Sequence, residues 1–239
     1  MNIKNFNVIG GIFSSGNTII ANGRVINEEG RGKTQVFDES KNENGDNVDS
    51  IIIDSTFVDV KILSCDSQSI EAKFYGQAYV DGKIEFDVCL VNRELKITLN
   101  FSGNCFNSNL QLDIFVPHKT FKTISVKSLS ADVIIDEKIS TKRLKVKTQS
   151  GDLETNAMFT NAFITTTSGD VELSINATED IEVEISTVNG DVLTKLNNIG
   201  QVNLSTSSVN GDIENRHKKE TGYTADVDIS TVNGDIKVM

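Results

Sequence analysis

TQSGDLET (residues 148–155), TTSGDVEL (166–173), STVNGDVL (186–193), SSVNGDIE (207–214) and STVNGDIKV (230–238) are versions of one phrase. A small polar residue, then glycine, aspartate and an aliphatic recur as Ser150-Gly151-Asp152-Leu153, Ser168-Gly169-Asp170-Val171 and Asn189-Gly190-Asp191-Val192. They recur again as Asn210-Gly211-Asp212-Ile213 and Asn233-Gly234-Asp235-Ile236, and Ser130-Ala131-Asp132-Val133 is a copy in which alanine replaces glycine. The steps between successive aspartates are 20, 18, 21, 21 and 23 residues. Self-similarity at a near-constant period of this size marks a repeat architecture, in which each unit stacks on its neighbours. Ser55-Thr56-Phe57-Val58-Asp59-Val60 reads as an earlier, degenerate copy.

Each period holds two strand patterns. Val171-Glu172-Leu173-Ser174-Ile175 and Ile181-Glu182-Val183-Glu184-Ile185 alternate apolar and polar residues. Alternation of period two puts Val171, Leu173, Ile175, Val183 and Ile185 on one face and the glutamates on the other. One unit cannot bury such a face alone, whereas stacked units bury a continuous core. The expected fold is therefore all-β: a parallel β-solenoid, β-helix-like, with an antiparallel strand region before it. The crossover preference of parallel strands predicts a right-handed coil.

The motif suits a corner between strands. Glycine accepts a positive φ, and Ser, Asn and Asp can hydrogen-bond nearby backbone amides. This predicts a structural turn ladder of Gly151, Asp152, Gly169, Asp170, Asn189, Gly190, Asp191, Asn210, Gly211, Asp212, Asn233, Gly234 and Asp235. A column of aspartates also resembles a cation site, and calcium at Asp170, Asp191 and Asp212 is the metal-binding alternative. Calcium-binding β-rolls have shorter, denser repeats, so the corner reading is preferred.

Working outward from the repeats, residues 117–239 form the solenoid and residues 51–116 an antiparallel region continuous with it. In the latter, Ile70–Val80 and Lys83–Val91 flank Asp81-Gly82, read as a hairpin turn. Phe74, Phe86, Phe101, Phe106 and Phe115 are expected to fill its core. Residues 1–50 are an irregular segment with a possible hairpin at Asn22-Gly23 and a polar loop over residues 38–50.

Composition narrows the function. The chain has 239 residues, a formal net charge of −11 and no Trp. Its acidity disfavours nucleic acid as a partner. Arg216-His217-Lys218-Lys219 is read as the one dense basic run, a solvated loop between repeats. Cys65, Cys89 and Cys105 lack metal-ligand spacing and are expected to be reduced thiols. The longest apolar run near the start, Val8 to Phe13, is too short for a secretory core, and no segment reaches membrane-span length. This favours the cytoplasm.

The segment IIIDSTFVDVKI (51–62), the run Leu112-Asp113-Ile114-Phe115-Val116-Pro117 and the repeat series together resemble a known family. It is the bacterial β-strand-repeat family of "putative adhesins", related to Lia-type envelope-stress accessory proteins. The resemblance covers roughly residues 50–239. It implies a solenoid-like fold, a binding role at the cell envelope and no transferable catalytic residues. Independently, the only histidines, His118 and His217, lie in no catalytic motif. The expectation is a non-enzymatic binding or scaffold module without cofactor, whose partner is an unknown protein or glycan. The alternatives are a self-assembling cytoplasmic solenoid scaffold and a carbohydrate-active β-helix enzyme. The chain stops just after its last corner, so the C-terminal coil is expected to be an open end through which copies could associate.

Overall fold

The computed structural model describes residues 7–9, 12–15, 18–21, 24–27, 33–218 and 221–239. Among them the fold is all-β, with one single-turn 3₁₀ helix at Gly45–Asn47. A small antiparallel sheet comprises β1 (Asn7–Ile9), β2 (Ile12–Ser15), β3 (Thr18–Ala21) and β4 (Arg24–Asn27). β3 and β4 pair with Ala21 opposite Arg24, flanking the expected Asn22-Gly23 turn, whose two residues lie outside the described ones.

The main sheet has 17 strands. It begins with β5 (Lys33–Asn44), antiparallel to the first half of β8 (Ser69–Val91). The polar stretch read as a loop over 38–50 is thus largely strand. Between them run β6 (Ser50–Ser55) and β7 (Asp59–Cys65), and after them β9 (Glu94–Pro117). β8 and β9 form one long hairpin. Its turn is Asn92-Arg93, both with positive φ (51° and 66°) and opposed by the pair Val91–Glu94, the geometry of a two-residue hairpin loop. Asp81-Gly82, expected to be a hairpin turn between Ile70–Val80 and Lys83–Val91, instead lies inside β8. Gly82 faces Gly103 where both strands bend together, and a Cβ on Gly82 would sit 1.9 Å from the Ser102 carbonyl oxygen. Asp-Gly there serves close approach at a bend and not chain reversal.

The repeats follow as pairs: β10 (Thr120–Ser128) and β11 (Val133–Ile135); β12 (Ser140–Lys147) and β13 (Leu153–Thr155); β14 (Met158–Thr165) and β15 (Val171–Asn176); β16 (Ile181–Ser186) and β17 (Val192–Asn197). The last two pairs are β18 (Ile199–Asn210) with β19 (Ile213–Asn215), and β20 (Tyr223–Asn233) with β21 (Ile236–Val238). First members stack in parallel on first members, and second members on second members. Two parallel faces therefore lie back to back, joined by the glycine-aspartate corners. Val171, Leu173, Ile175, Val183 and Ile185 are all buried between them, as the alternation predicts. Of the phenylalanines assigned to the core, Phe74 and Phe86 are buried, while Phe106 is 54% exposed.

Stacking order departs from chain order at both ends. β6–β7 lie between β9 and β10–β11, so the first coil is internal. At the other end, β20 pairs with both β16 and β18, and β21 with both β17 and β19. The C-terminal coil is thus inserted between the two coils that precede it. Ala225, Val227, Ile229, Ile236 and Val238 are buried there. This corrects the expectation of an open C-terminal coil. The outermost coil is β18–β19, where Val209 is 70% and Ile213 46% exposed.

Candidate functional site

The predicted turn residues come together in one column. The amide N–H of each corner aspartate donates to Oδ1 of the aspartate in the adjacent coil. Asp132 donates to Asp59 at 3.1 Å, Asp152 to Asp132 at 2.9 Å, and Asp170 to Asp152 and Asp191 to Asp170 at 2.8 Å. The column then runs from Asp235 to Asp191 and from Asp212 to Asp235, both at 2.8 Å, following the swapped coil order. Asp59 places the degenerate first copy at the ladder's start. Beside it the amides of Asn233 and Asn210 donate to the side-chain oxygens of Asn189 and Asn233, at 2.7 and 2.9 Å.

The glycines have a reason that sequence reading missed. Gly190 does not adopt the left-handed region, yet a Cβ there would lie 2.0 Å from the carbonyl oxygen of Gly169 in the neighbouring coil. Glycine is required because corners stack in near contact. Gly151, at φ 120°, adds the conformational reason. As for cations, every carboxylate of the column except that of Asp212, its last member, has one oxygen engaged by the next coil's amide. Among the described residues no three His, Cys, Asp or Glu side chains are grouped to hold a metal.

The histidine expected at the entry to the repeats, His118, lies 3.3 Å from Asp66, and both side chains reach solvent. It borders an open groove of ≈ 900 Å³ with Glu137, Lys138, Asn156 and Asn176 along the opposite corners. Cys65, Cys89 and Cys105 are all free thiols.

The outward side of the first-member face has a pattern of a different kind. Strand register aligns Thr123, Arg143, Asn161, Glu182 and Asp226 in one row across β10, β12, β14, β16 and β20. The next row is Ser125, Lys145, Phe163, Glu184 and Asp228, and the third Lys127, Lys147, Thr165, Ser186 and Ser230. Two strands carry cations, the middle one is neutral, and two carry carboxylates. Lys127 meets Asp54 at 3.7 Å, whereas no ion pair joins Arg143, Lys145 or Lys147 to another described residue. These cations and the half-buried ring of Phe163 border a shallow groove of ≈ 500 Å³. Asn161 donates to Glu182 at 2.8 Å and Asn203 to Asp226 at 2.6 Å, which fixes two of the carboxylates.

The sequence did contain this signal. Lys142-Arg143-Leu144-Lys145-Val146-Lys147 is a longer basic run than Arg216–Lys219, with four cations against three, hidden because its charges alternate with buried residues. Alternation places Arg143, Lys145 and Lys147 side by side on one face.

Two stacked parallel faces, corner ladders and a charged outer face define a solenoid-like all-β protein. The Toastrack family model, DUF4097, matches residues 48–239, and the chain belongs to that family. Among solved structures, the chain is similar to a "putative cell adhesion protein" from Clostridium sporogenes, at 16% identity and a TM-score of 0.56, over 85% of this chain and 99% of that one. It is also similar to a "putative adhesin" from Bacteroides fragilis at 16% identity and a TM-score of 0.47, over 87% of this chain and 97% of that one. No curated protein matches it. At these identities the likeness concerns the fold. No helix among the described residues is long and apolar enough to cross a membrane.

Proposed function

We propose that this chain is a non-catalytic binding and scaffold module of the adhesin-like kind, working at the cell envelope through the outer face of β10, β12, β14, β16 and β20. The observation that carries this reading is the set of unpaired cations, Arg143, Lys145 and Lys147, held in register beside Phe163 on one sheet face. Charged side chains free of local partners, next to an aromatic ring, are available to an incoming ligand. The glycine-aspartate ladder is assigned a structural role, fixing coil register, and the coil is taken as right-handed from the crossover preference. His118 is assigned no catalytic part, since its contact, Asp66, is fully open to water.

Depletion of the chain from solution by a sedimentable bacterial envelope fraction tests the reading. The native chain is expected to co-sediment, and the R143E/K145E/K147E variant to stay in the supernatant. Equal behaviour of the two would remove the face from the function. The name of one similar structure, a "putative cell adhesion protein", agrees with this role but belongs to that protein.

A further inference from the structure

We infer that the same outer face docks a second copy of the chain, in a two-fold arrangement whose axis runs along β14. This rests on the face being the working surface. Its charges change sign across β14: Lys127, Arg143, Lys145 and Lys147 lie on β10 and β12, and Glu182, Glu184, Asp226 and Asp228 on β16 and β20, with Arg143 and Glu182 in one row, Lys145 and Glu184 in the next, and Lys127 and Lys147 in the row of Ser186 and Ser230. Four positive charges stand against four negative ones, with Asn161, Phe163 and Thr165 between.

Rotation by 180° about an axis parallel to β14, lying in the plane between two such faces, keeps each row and exchanges its ends. Arg143 of one copy then faces Glu182 of the other, Lys145 faces Glu184, and Phe163 meets its own equivalent. A two-fold contact must be self-complementary in this way. Adjacent strands are about 4.8 Å apart and stacked sheets about 10 Å, a gap that extended Arg, Lys and Glu side chains can bridge. An axis across the strands would set like charge on like, so the pattern selects one orientation.

A second copy fits better than an acidic polymer. The chain carries −11 overall, and the carboxylates of β16 begin two strands from the cations of β12. A polyanion long enough to engage Lys127, Arg143, Lys145 and Lys147 meets that repulsion, whereas a second copy pairs Arg143 and Lys145 with Glu182 and Glu184 in both directions. Five strands at this spacing, about 20 Å long, bury only about 1,000 Å² in total, the size of a weak and transient interface. Such a contact depends on charge and is screened as the Debye length falls from about 10 Å at 0.1 M salt to about 3 Å at 1 M.

Sedimentation equilibrium of the full chain at 50 and 500 mM NaCl, over a range of concentrations, tests the inference. A monomer–dimer equilibrium is expected, with a dissociation constant at least about ten-fold weaker at the higher salt, as for electrostatically steered complexes. R143E/K145E and E182K/E184K should each be monomeric. An equimolar mixture of the two should restore a heterodimer, because every reversed contact then meets its reversed partner. Circular dichroism and melting temperature confirm that both variants fold. A native chain that stays monomeric throughout, or dimers that survive in both variants, would overturn the inference. Monomeric native chain that binds soluble polyglutamate through Arg143 and Lys145 would also overturn it, while leaving the face as a binding surface. Failure of envelope co-sedimentation alone bears on the function and not on the dimer.

Discussion

In the middle of the molecule the coils stack in the order in which the chain makes them; at both ends they do not. From Asp132 to Asp191 each corner aspartate bonds to the next one along the sequence, 18 to 21 residues away. Beyond Asp191 the next aspartate in sequence is Asp212, yet the contact is made by Asp235, 44 residues on. Asp132 likewise reaches back 73 residues to Asp59. The corner motif is the same in both regions, so it specifies how coils touch and not which coils touch. At the far end the chain leaves β17 through Asn198, at φ 61°, builds the outer coil and returns to fill the gap. The matched domain therefore ends on an internal coil with both edges paired, where a simple solenoid would present a fraying one.

Removal of residues 223–239 tests this contrast most severely. A terminal coil in chain order would peel away and leave the rest intact. Here the deletion opens a gap between β16–β17 and β18–β19 and removes five buried apolar side chains. At about 1.5–3 kcal/mol for each of the four Val and Ile side chains, with a smaller share from Ala225, their loss rivals the whole stability of a typical domain, about 5–15 kcal/mol. The truncated chain is expected to lose its cooperative urea transition; a retained transition with only a small midpoint shift would argue for chain-order stacking.

Glycine substitutions give a smaller, sharper comparison. In Gly190→Ala the new Cβ would lie 2.0 Å from the Gly169 carbonyl oxygen, within coils held on both sides. In Gly211→Ala it would lie 2.0 Å from that of Gly234, but on the outer coil, which is free to shift outward. Chemical denaturation should show a loss of about 1–3 kcal/mol or more for Gly190→Ala and clearly less for Gly211→Ala, the cost of overpacking being set by how far neighbours can relax.

The ladder itself offers a finer test. Asp191→Ala leaves the amide of Asp235 without its acceptor, a change of about 1 kcal/mol for one hydrogen bond. Asp212 ends the column and accepts no such amide, so Asp212→Ala should be nearly neutral in the same urea titration. Equal effects would mean that the column does not stop at the outer coil.

The smallest expected effect is confined to acid. Arg93 at the hairpin turn and Lys122 on β10 both bind Asp49, at 2.8 and 2.7 Å, and hold its carboxyl well below the usual range. A depressed folded pKa stabilises above the unfolded value, about 3.9, and that contribution is lost as pH falls towards the folded one. The urea midpoint of Asp49→Asn should therefore lie below native by a nearly constant amount from pH 6 to about pH 4, and close on it only as pH falls from about 4 to about 2. A difference that stays constant from about pH 4 to about pH 2 would remove the ion pair from the explanation.

Much of the fold was legible because backbone periodicity is local. Val171, Leu173 and Ile175 alternate with polar residues, and that alone sends them inward. Other readings failed where one local signal serves two geometries. Asp81-Gly82 can reverse a chain or let two strands bend in contact, and only the pairing of Gly82 with Gly103 distinguishes these. The charged face was missed because its cations and its carboxylates belong to coils far apart in sequence, brought side by side by stacking.

By itself, the sequence determined that this is a stacked-strand protein with glycine-aspartate corners, since strand alternation and turn chemistry act over a few residues. Tertiary structure alone decided which coil is last. Corners of nearly identical chemistry can stack in any order, and the choice rests on connections and core contacts spread over 44 residues or more. The same stacking set four cations against four carboxylates across β14, a pattern that exists only once the coils are in place.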